Sequence, residues 1–365
     1  MPRTSHGFLS GLRHVDGILL TLVVLVLGIS LAVVTSASGQ SAARISGHLV
    51  NIGLALGVMV VIANVPPHLL SKVGPPLYVA GVVLLIGVAL FGEVRNGARR
   101  WLDVGFAFQP SELLKLALPL MLAWYFHRNE AVLRAKHYLV GGVLLLVPFL
   151  LILRQPDLGT ALMLGASGFY LLFFAGLPWK VILGGATLGA ASLPVVWGLM
   201  HDYQQRRVLM LLDPSSDPLG AGYHIIQSTI AIGSGGLFGK GWMQGTQNQL
   251  DFIPERTTDF IYAVFGEEFG YAGAILLVGL YLAIVARGLV IAARAPTLFG
   301  RLMAATLSLN LFTYVFVNMG MVSGILPVVG VPLPLMSYGG TALVTLLLGV
   351  GILMSVATHR QLNKS

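Results

Sequence analysis

The chain has 365 residues, of which 56% are hydrophobic and 10% are charged, and its formal net charge is +8 at pH 7. Soluble globular domains carry roughly 25% charged residues, so this composition excludes an ordinary water-soluble fold and predicts a chain that lies mostly in lipid. The sequence contains no cysteine, which excludes disulfides, thiol nucleophiles and cysteine metal ligands.

Apolar runs of the length that crosses a hydrocarbon core of about 30 Å recur along the whole sequence. We therefore predict an all-α polytopic membrane protein with about ten spans, in which residues 1–365 form a single transmembrane domain. The first run resembles a signal peptide but is too long and is followed by further spans, so we interpret it as an uncleaved helix. The predicted spans lie near residues 17–36, 48–66, 75–92, 111–126, 138–153, 158–177, 180–200, 260–285, 299–322 and 339–357.

The distribution of charge sets the orientation. Placing the N-terminus in the cytoplasm puts more basic residues inside than outside, and the C-terminus is then cytoplasmic as well. The long loop of about residues 201–258, between spans 7 and 8, becomes extracytoplasmic, and most acidic residues lie on that side. We expect the chemistry at the external face. Nothing in the sequence indicates nucleic-acid binding.

Basic residues on the external side form two groups, one in the loop after span 3 and one in the long loop. An isolated arginine usually snorkels or solvates a loop. Clustered guanidinium groups close to carboxylates suit bidentate phosphate binding instead, and we predict that they hold an anionic lipid substrate. The two groups are Arg95, Arg99 and Arg100, and Arg206, Arg207, Lys240 and Arg256.

Span 4 carries Glu112 and Lys115, which lie three residues apart, on one helix face and close enough to pair. These charges would be costly against lipid, which favours a polar cavity inside the bundle. They could form a purely structural ion pair or contact substrate, and we favour the second.

Asp157 follows a Gln-Pro turn at the start of span 6. It could complement the helix dipole or line the cavity. Span 7 is rich in Gly and Ala, which predicts close packing against a neighbour.

Residues 247–260 concentrate amides, carboxylates and an arginine directly before span 8. Asp259, at the boundary between water and lipid, is our candidate for the group that carries the chemistry.

Upstream of residue 247, an apolar segment with helical periodicity predicts an interfacial helix. The glycine-rich turn after it, residues 233–241, could be a flexible connection or could present N–H groups to a phosphate. Glu267 and Glu268, too deep for surface charges, either anchor polar helix contacts or line the bottom of a cavity.

The segment before span 10, residues 321–341, contains three prolines and four glycines. It cannot form a continuous helix, which predicts a re-entrant or cavity-lining loop.

Several motifs, in order along the chain, resemble those of the SEDS family of cell-wall polymerases. The last motif resembles the elongation branch of the family more than its division branch. One position departs from the pattern: Thr257 stands where the family commonly has histidine, which argues against a catalytic duty for that histidine. The motifs are Ala37-Ser38, Gly97-Ala98-Arg99-Arg100-Trp101, Gln109-Pro110-Ser111-Glu112, Gln155-Pro156-Asp157-Leu158-Gly159-Thr160, residues 232–273 and residues 330–341.

The resemblance implies a peptidoglycan glycosyltransferase of the bacterial plasma membrane. Such an enzyme polymerises lipid II during cell elongation, beside a class B penicillin-binding protein that cross-links the strands. The resemblance also implies that Asp259 is the essential carboxylate and that Glu112 and Lys115 are functionally important. We expect an inverting displacement with Asp259 as general base and undecaprenyl pyrophosphate as leaving group. Arginines, Lys115 or a divalent cation, Mg²⁺ or Mn²⁺, could neutralise that leaving group.

Two other functions stay open at this point. A lipid II flippase would also need many spans and a polar cavity, although it would require polar groups that reach the cytoplasmic side. A scaffold for the cross-linking partner would need no catalytic carboxylate. Besides membrane lipids, lipid II is the expected ligand, and the candidate residues for binding it are Arg99, Arg100, Asp157, Arg206, Arg207, Lys240, Gln249, Asp251, Glu255, Arg256, Ser337 and Tyr338.

Overall fold

The computed structural model describes residues 14–95, 98–103, 107–155, 157–200, 205, 208–209, 213 and 221–359. Within these ranges the predicted helical membrane architecture is confirmed. Eight helices are long and apolar enough to cross a membrane, and a further apolar helix, Leu158–Phe174, is slightly shorter.

Each predicted span coincides with a helix among α1–α7 and α10–α12. A 3-10 turn, Glu130–Val132, joins α4 to α5. In chain order the described helices are α1 (Gly17–Ala37), α2 (Ala42–Ala63), α3 (Pro67–Phe91), α4 (Pro110–Arg128), α5 (Ala135–Arg154), α6 (Leu158–Phe174), α7 (Trp179–Leu199), α8 (Ala221–Ser234), α9 (Thr246–Gln249), α10 (Ile261–Arg294), α11 (Leu298–Val322) and α12 (Gly340–Thr358).

A small antiparallel sheet lies between α3 and α4, where the sequence predicted a loop. Strand β1 (Glu93–Arg95) pairs with β2 (Ala98–Asp103), and β2 pairs with β3 (Ala107–Phe108). The all-α prediction therefore lacks this element. Strands β1 and β3, of 3 and 2 residues, are too short to show the alternating pattern by which a strand is recognised in a sequence. The six residues of β2, Ala-Arg-Arg-Trp-Leu-Asp, do not alternate between apolar and polar.

Local sequence fixes several helix starts. Asp16 caps α1 by accepting a hydrogen bond from the Leu19 N–H at 2.9 Å, as short polar side chains do at helix N-termini. Helices α3 and α4 begin at Pro67 and Pro110, because proline fits the first helical turn, where its missing N–H costs nothing. The proline-rich residues before α12 remain non-helical, as predicted.

Two hydrophobic clusters form the core. One joins α1, α2, α10, α11 and α12 around residues such as Met59 and Tyr281. The other joins α3, α4, α5 and α6 around Phe126 and Leu164, and also includes residues of α11 and α12. Helices α11 and α12 therefore connect the two halves of the bundle.

Helix α7 does not follow this pattern, because none of its residues is buried. A Cβ added at Gly184, Gly185 or Gly189 would meet no atom within 4 Å. The prediction that this Gly/Ala-rich span packs tightly against a neighbour is wrong for the described structure. Small residues permit a close helix contact but contribute little attraction of their own.

The glycine-rich turn after α8 packs against an interruption in α10. Gly270 has φ 64° and ψ −163°, which breaks the helix. The Lys240 N–H donates to the Glu267 carbonyl at 3.0 Å, and the Tyr271 N–H donates to the Gly236 carbonyl at 2.9 Å. A Cβ on Gly239 would lie 2.1 Å from the Glu268 carbonyl oxygen. The glycines therefore allow two backbones to interleave, which neither proposed role for this turn anticipated.

The helix ends divide between two faces of the bundle. One, the site face, carries the sheet, the turn before α10 and the loop before α12. There the end of α1 meets the start of α10 through Ser36 and Glu268. At the opposite face, the start of α1 meets the ends of α10 and α12 through the Asp16–Arg287 ion pair and the stacked rings of His14 and His359.

Candidate active site

A cavity of about 390 Å³ opens at the site face. Its walls come from β2, α4, α6, α11 and α12, together with the turn that precedes α10 and the loop between α11 and α12. The prediction of a cavity-lining loop before the last helix is therefore confirmed. The polar or aromatic lining residues are Arg100, Trp101, Gln109, Glu112, Lys115, Asp157, Thr160, Thr258, Asp259, Tyr314, Ser337 and Tyr338.

The Asp259 backbone is fixed by a side chain of α11. The amide of Asn318, which is 0% exposed, donates to the carbonyl of Asp259 at 2.8 Å and to the carbonyl of Val331 at 2.7 Å. A single buried amide thus joins the turn to the loop. The loop also approaches the carboxylate, because a Cβ on Gly330 would lie 3.4 Å from Asp259 Oδ2.

Ser337 and Tyr338 hold the same turn from the loop side. The Ser337 hydroxyl donates to the Thr258 carbonyl at 2.6 Å, and the Tyr338 N–H donates to the Thr257 carbonyl at 2.8 Å. Three consecutive carbonyls, those of Thr257, Thr258 and Asp259, are therefore bound. Preorganisation of this kind keeps a reactive group in place without cost during the reaction.

The carboxylate of Asp259 binds a proton more readily than an ordinary aspartate does. Burial raises the pKa of Asp259, and the negative charge of Glu255 raises it further, to about 6. Both effects disfavour the ionised form. A carboxylate with a pKa in this range suits a general base better than an ordinary aspartate does, because proton transfer is most efficient when the pKa lies near the working pH.

A cation lies inside the same cavity. Lys115 Nζ is 2.5 Å from Glu112 Oε1, so the predicted pair and its place in a cavity within the bundle are confirmed. The ammonium also lies over the ring of Tyr314, 5.5 Å from its centroid. Glu112 Oε2 is buried and has no hydrogen-bond partner in the described structure.

Asp157 combines the two roles that the sequence left open. Its Oδ1 accepts from the Thr160 N–H at 3.1 Å and so caps α6. Its Oδ2 lies 3.7 Å from the Arg100 guanidinium and 3.3 Å from the amide of Gln109. Arg100 is thus held at the cavity wall by a carboxylate that is itself fixed by a helix start.

Of the other predicted residues, those whose side chains the structure describes lie outside this lining. Lys240 Nζ pairs with Glu267 Oε1 at 2.7 Å, and Arg256 pairs with the exposed Asp251. Gln249 donates to the Met243 carbonyl. The backbone of Arg99 belongs to β2, but its side chain lies outside the described part of the chain. Arg206 and Arg207 lie outside the described residues altogether. Substrate binding by all of these residues stays a prediction.

Glu267 and Glu268 anchor polar contacts, one of the two roles suggested from the sequence. Glu267 is 0% exposed, and besides Lys240 it accepts from the N–H groups of Gln247 at 2.9 Å and Asn248 at 3.2 Å. Glu268 accepts from the Ser36 hydroxyl. The two carboxylates therefore fasten residues 240–248 and α1 to the start of α10.

Tyr314 and the double hydrogen bond of Asn318 were not anticipated. Asn318 was visible only as a polar residue in span 9, and nothing near Tyr314 in the sequence distinguishes it from other aromatic residues of a membrane helix. As for a metal, the described residues include no group of three or more His, Asp or Glu side chains that could hold one.

Comparison with known proteins shows which family this chain resembles. Residues 15–362 match the model of the cell cycle protein family named for FtsW, RodA and SpoVE. The peptidoglycan glycosyltransferase MrdB of Escherichia coli K12 is 53% identical over 351 residues, which cover 96% of this chain and 95% of MrdB.

Two solved structures are also similar. One, from work on how a peptidoglycan synthase complex coordinates polymerization and crosslinking, has a TM-score of 0.80 and 36% identity over 94% of this chain and 97% of its own. The other, the rod shape determining protein RodA of Thermus thermophilus, has a TM-score of 0.72 and 31% identity over 95% of this chain and 98% of its own.

The chain belongs to the FtsW, RodA and SpoVE family of cell cycle proteins. It is an integral membrane protein, and the predicted enzyme class, peptidoglycan glycosyltransferase, and the resemblance to the elongation branch are both confirmed.

Proposed function

We propose that the chain polymerises lipid II into glycan strands and that Asp259 is the general base. The observation that carries the proposal is a partly buried carboxylate with a pKa of about 6, in a cavity that also contains Lys115 and Arg100. A base and cations in one cavity match the needs of a displacement in which a hydroxyl attacks and a diphosphate departs.

In this mechanism Asp259 accepts the proton of the acceptor 4-hydroxyl as its oxygen bonds to the anomeric carbon of the donor. The bond from that carbon to the undecaprenyl diphosphate breaks in the same displacement, so the configuration inverts. Lys115 and Arg100 neutralise the charge on the departing diphosphate. Diphosphate is a good leaving group, which makes a protonating acid of the kind used by glycosidases unnecessary.

The remaining polar residues have supporting roles in this proposal. Glu112 holds the Lys115 ammonium, and Asp157 holds Arg100. Ser337 and Tyr338 fix the turn that carries Asp259. Asp251, Glu255 and Arg256 act as electrostatic and positioning neighbours. A divalent cation, Mg²⁺ or Mn²⁺, stays a proposal without a step assigned to it, because the described residues include no group of three or more His, Asp or Glu side chains that could hold it.

We further infer ten spans, α1–α7 and α10–α12, in one domain of residues 1–365. Both termini are cytoplasmic, and the site face, with the loop of about residues 201–258, lies outside the bacterial plasma membrane. The expected partner is a class B penicillin-binding protein that cross-links the new strands. The likeness to a chain from a peptidoglycan synthase complex supports such a partner.

Polymerisation of labelled lipid II by the purified chain, with and without the penicillin-binding protein, tests the proposal. Asp259→Asn should keep its thermal stability and bind lipid II, but form no polymer, because an amide cannot accept the proton. Normal polymerisation by the folded variant would refute the assigned base. Inactivity of the unaltered chain in every arrangement would favour a scaffold, and transport of lipid II across vesicles without polymer would favour a flippase.

A further inference from the structure

A second cavity, of about 700 Å³, lies at the opposite face of the bundle, and we call it the basic cavity. It is enclosed by the starts of α3 and α11 and the ends of α4 and α12. Its volume is in the range of pockets that hold small ligands. The ionisable lining residues are His68, Lys72, His127, Arg128, Glu130 and His359.

Basic residues outnumber acidic residues in the lining of the basic cavity. Glu130 is the one acidic residue in its described lining, and its carboxylate pairs with His127 Nδ1 at 3.0 Å. Within the described part of the chain, Lys72 and Arg128 form no ion pair. The Arg128 guanidinium instead lies over the Trp124 ring, 5.4 Å from its centroid. Two permanent positive charges therefore face the cavity without a carboxylate partner.

Three imidazoles, those of His68, His127 and His359, also line the basic cavity. Burial lowers the pKa of His359, and the neighbouring rings of His14 and His68 lower it further, since each disfavours a second positive charge nearby. His14 and His359 are stacked with their centroids 4.0 Å apart. An anion bound beside His359 would instead favour the protonated form of that ring.

The backbone contributes donors as well as acceptors. Helix α3 begins after Pro66 without a side-chain cap. Pro67 has no N–H, and the N–H groups of Leu69 and Leu70 donate to the Pro66 carbonyl, which leaves the His68 N–H as the first-turn donor that could meet an anion. The ends of α4 and α12 bring carbonyls to the same cavity, and the two dipole contributions oppose one another. The net preference for an anion therefore comes from the side chains.

We propose that the basic cavity binds a phosphate group, either that of an anionic phospholipid headgroup or free phosphate. Its position at a membrane surface, with Trp124, Phe299 and Val356 as apolar wall, suits a headgroup whose chains continue into the bilayer. Basic pockets between membrane helices on the cytoplasmic side are the usual place for such headgroups. This site is separate from the Asp259 cavity and does not depend on the proposed reaction.

Native mass spectrometry of the full chain, released from detergent with defined lipids, tests the proposal. Phosphatidylglycerol should be retained in preference to phosphatidylcholine with the same acyl chains. In Lys72→Gln/Arg128→Gln, retention should fall by more than about 10-fold, the effect of losing at least one charge-assisted hydrogen bond to the phosphate. Lys72→Arg/Arg128→Lys keeps both charges and should restore retention.

The matched control is Arg294→Gln/Arg301→Gln, which removes two exposed cations from the same face outside the cavity. Its retention should be unchanged, and an equal loss in this control would overturn the proposal in favour of general surface attraction.

A second arm adds inorganic phosphate to the delipidated chain, with chloride at equal ionic strength. Stabilisation by phosphate in the wild type but not in Lys72→Gln/Arg128→Gln, without lipid preference, would identify free phosphate as the ligand. No effect in either arm would overturn the site.

Discussion

Asp259 is partly buried beside a second carboxylate, and this couples the proposed reaction to pH. A general base works only when deprotonated, so a pKa of about 6 means that the polymerisation rate should be flat above that pH and fall as the pH drops through it. The negative charge of Glu255 contributes to the raised pKa. In Glu255→Gln, the pKa of Asp259 should fall, and the acidic limb of the rate profile should move to lower pH.

The control is Asp251→Asn in the same turn. Asp251 is exposed and pairs with Arg256, and it is not among the causes of the raised pKa. The acidic limb of the rate profile of Asp251→Asn should therefore stay at the pH of the wild type. A Glu255→Gln limb that does not move, measured with lipid II at saturation, would contradict this electrostatic account.

At the scale of elements, the interleaved glycines should determine stability. Gly239 has φ 80°, and a Cβ there would lie 2.1 Å from the Glu268 carbonyl oxygen. Gly239→Ala should therefore lower the free energy of unfolding by about 2 to 4 kcal/mol, from left-handed strain plus steric overlap. Thermal denaturation in detergent measures this loss.

Gly233→Ala is the matched control, because Gly233 lies in α8 and an added Cβ there meets no atom within 4 Å. Alanine favours a helix over glycine by about 1 kcal/mol, so this variant should be as stable as the wild type or more stable. Equal destabilisation of both variants would show that the interleaving contributes little.

Substitutions in the Lys240–Glu267 ion pair test whether Lys240 stabilises the fold or binds the substrate. Lys240→Met leaves a fully buried carboxylate without its charge partner, which should cost about 3 kcal/mol. Because Glu267 then has no counter-charge, Lys240→Met/Glu267→Gln should recover part of the loss in a denaturation assay. Wild-type stability with weak lipid II binding in Lys240→Met would instead assign Lys240 to the substrate.

For the whole molecule, the orientation can be tested by labelling, since the sequence contains no cysteine to be removed first. Leu250 is 63% exposed at the site face, and Val132 is 54% exposed in the turn between α4 and α5 at the opposite face. A membrane-impermeant maleimide added to intact spheroplasts should label Leu250→Cys but not Val132→Cys. The reverse pattern would place the Asp259 cavity in the cytoplasm and refute the proposed topology.

The sequence predicts this molecule best where a single physical property decides the outcome. Apolar length located the membrane helices to within a few residues at most ends, and the cost of charge in lipid led to the cavity around Glu112 and Lys115. Prediction from the sequence failed where contacts between distant segments of the chain decide the structure. The two hydrogen bonds of Asn318 and the unburied α7 depend on tertiary contacts that no local pattern records.

The backbone contacts around Gly270 have a consequence for protein engineering. The N–H groups of Lys240 and Gly241 bind carbonyls before the break, and the carbonyls of Gly236 and Leu237 accept from Tyr271 and Ala272 after it. These backbone bonds do not depend on side-chain identity, but a Cβ at Gly235 or Gly239 would lie 2.1 Å from the carbonyl oxygen of Gly266 or Glu268. A chimera between family members that replaces residues 235–241 should therefore fold only when the donor segment keeps glycine at both positions.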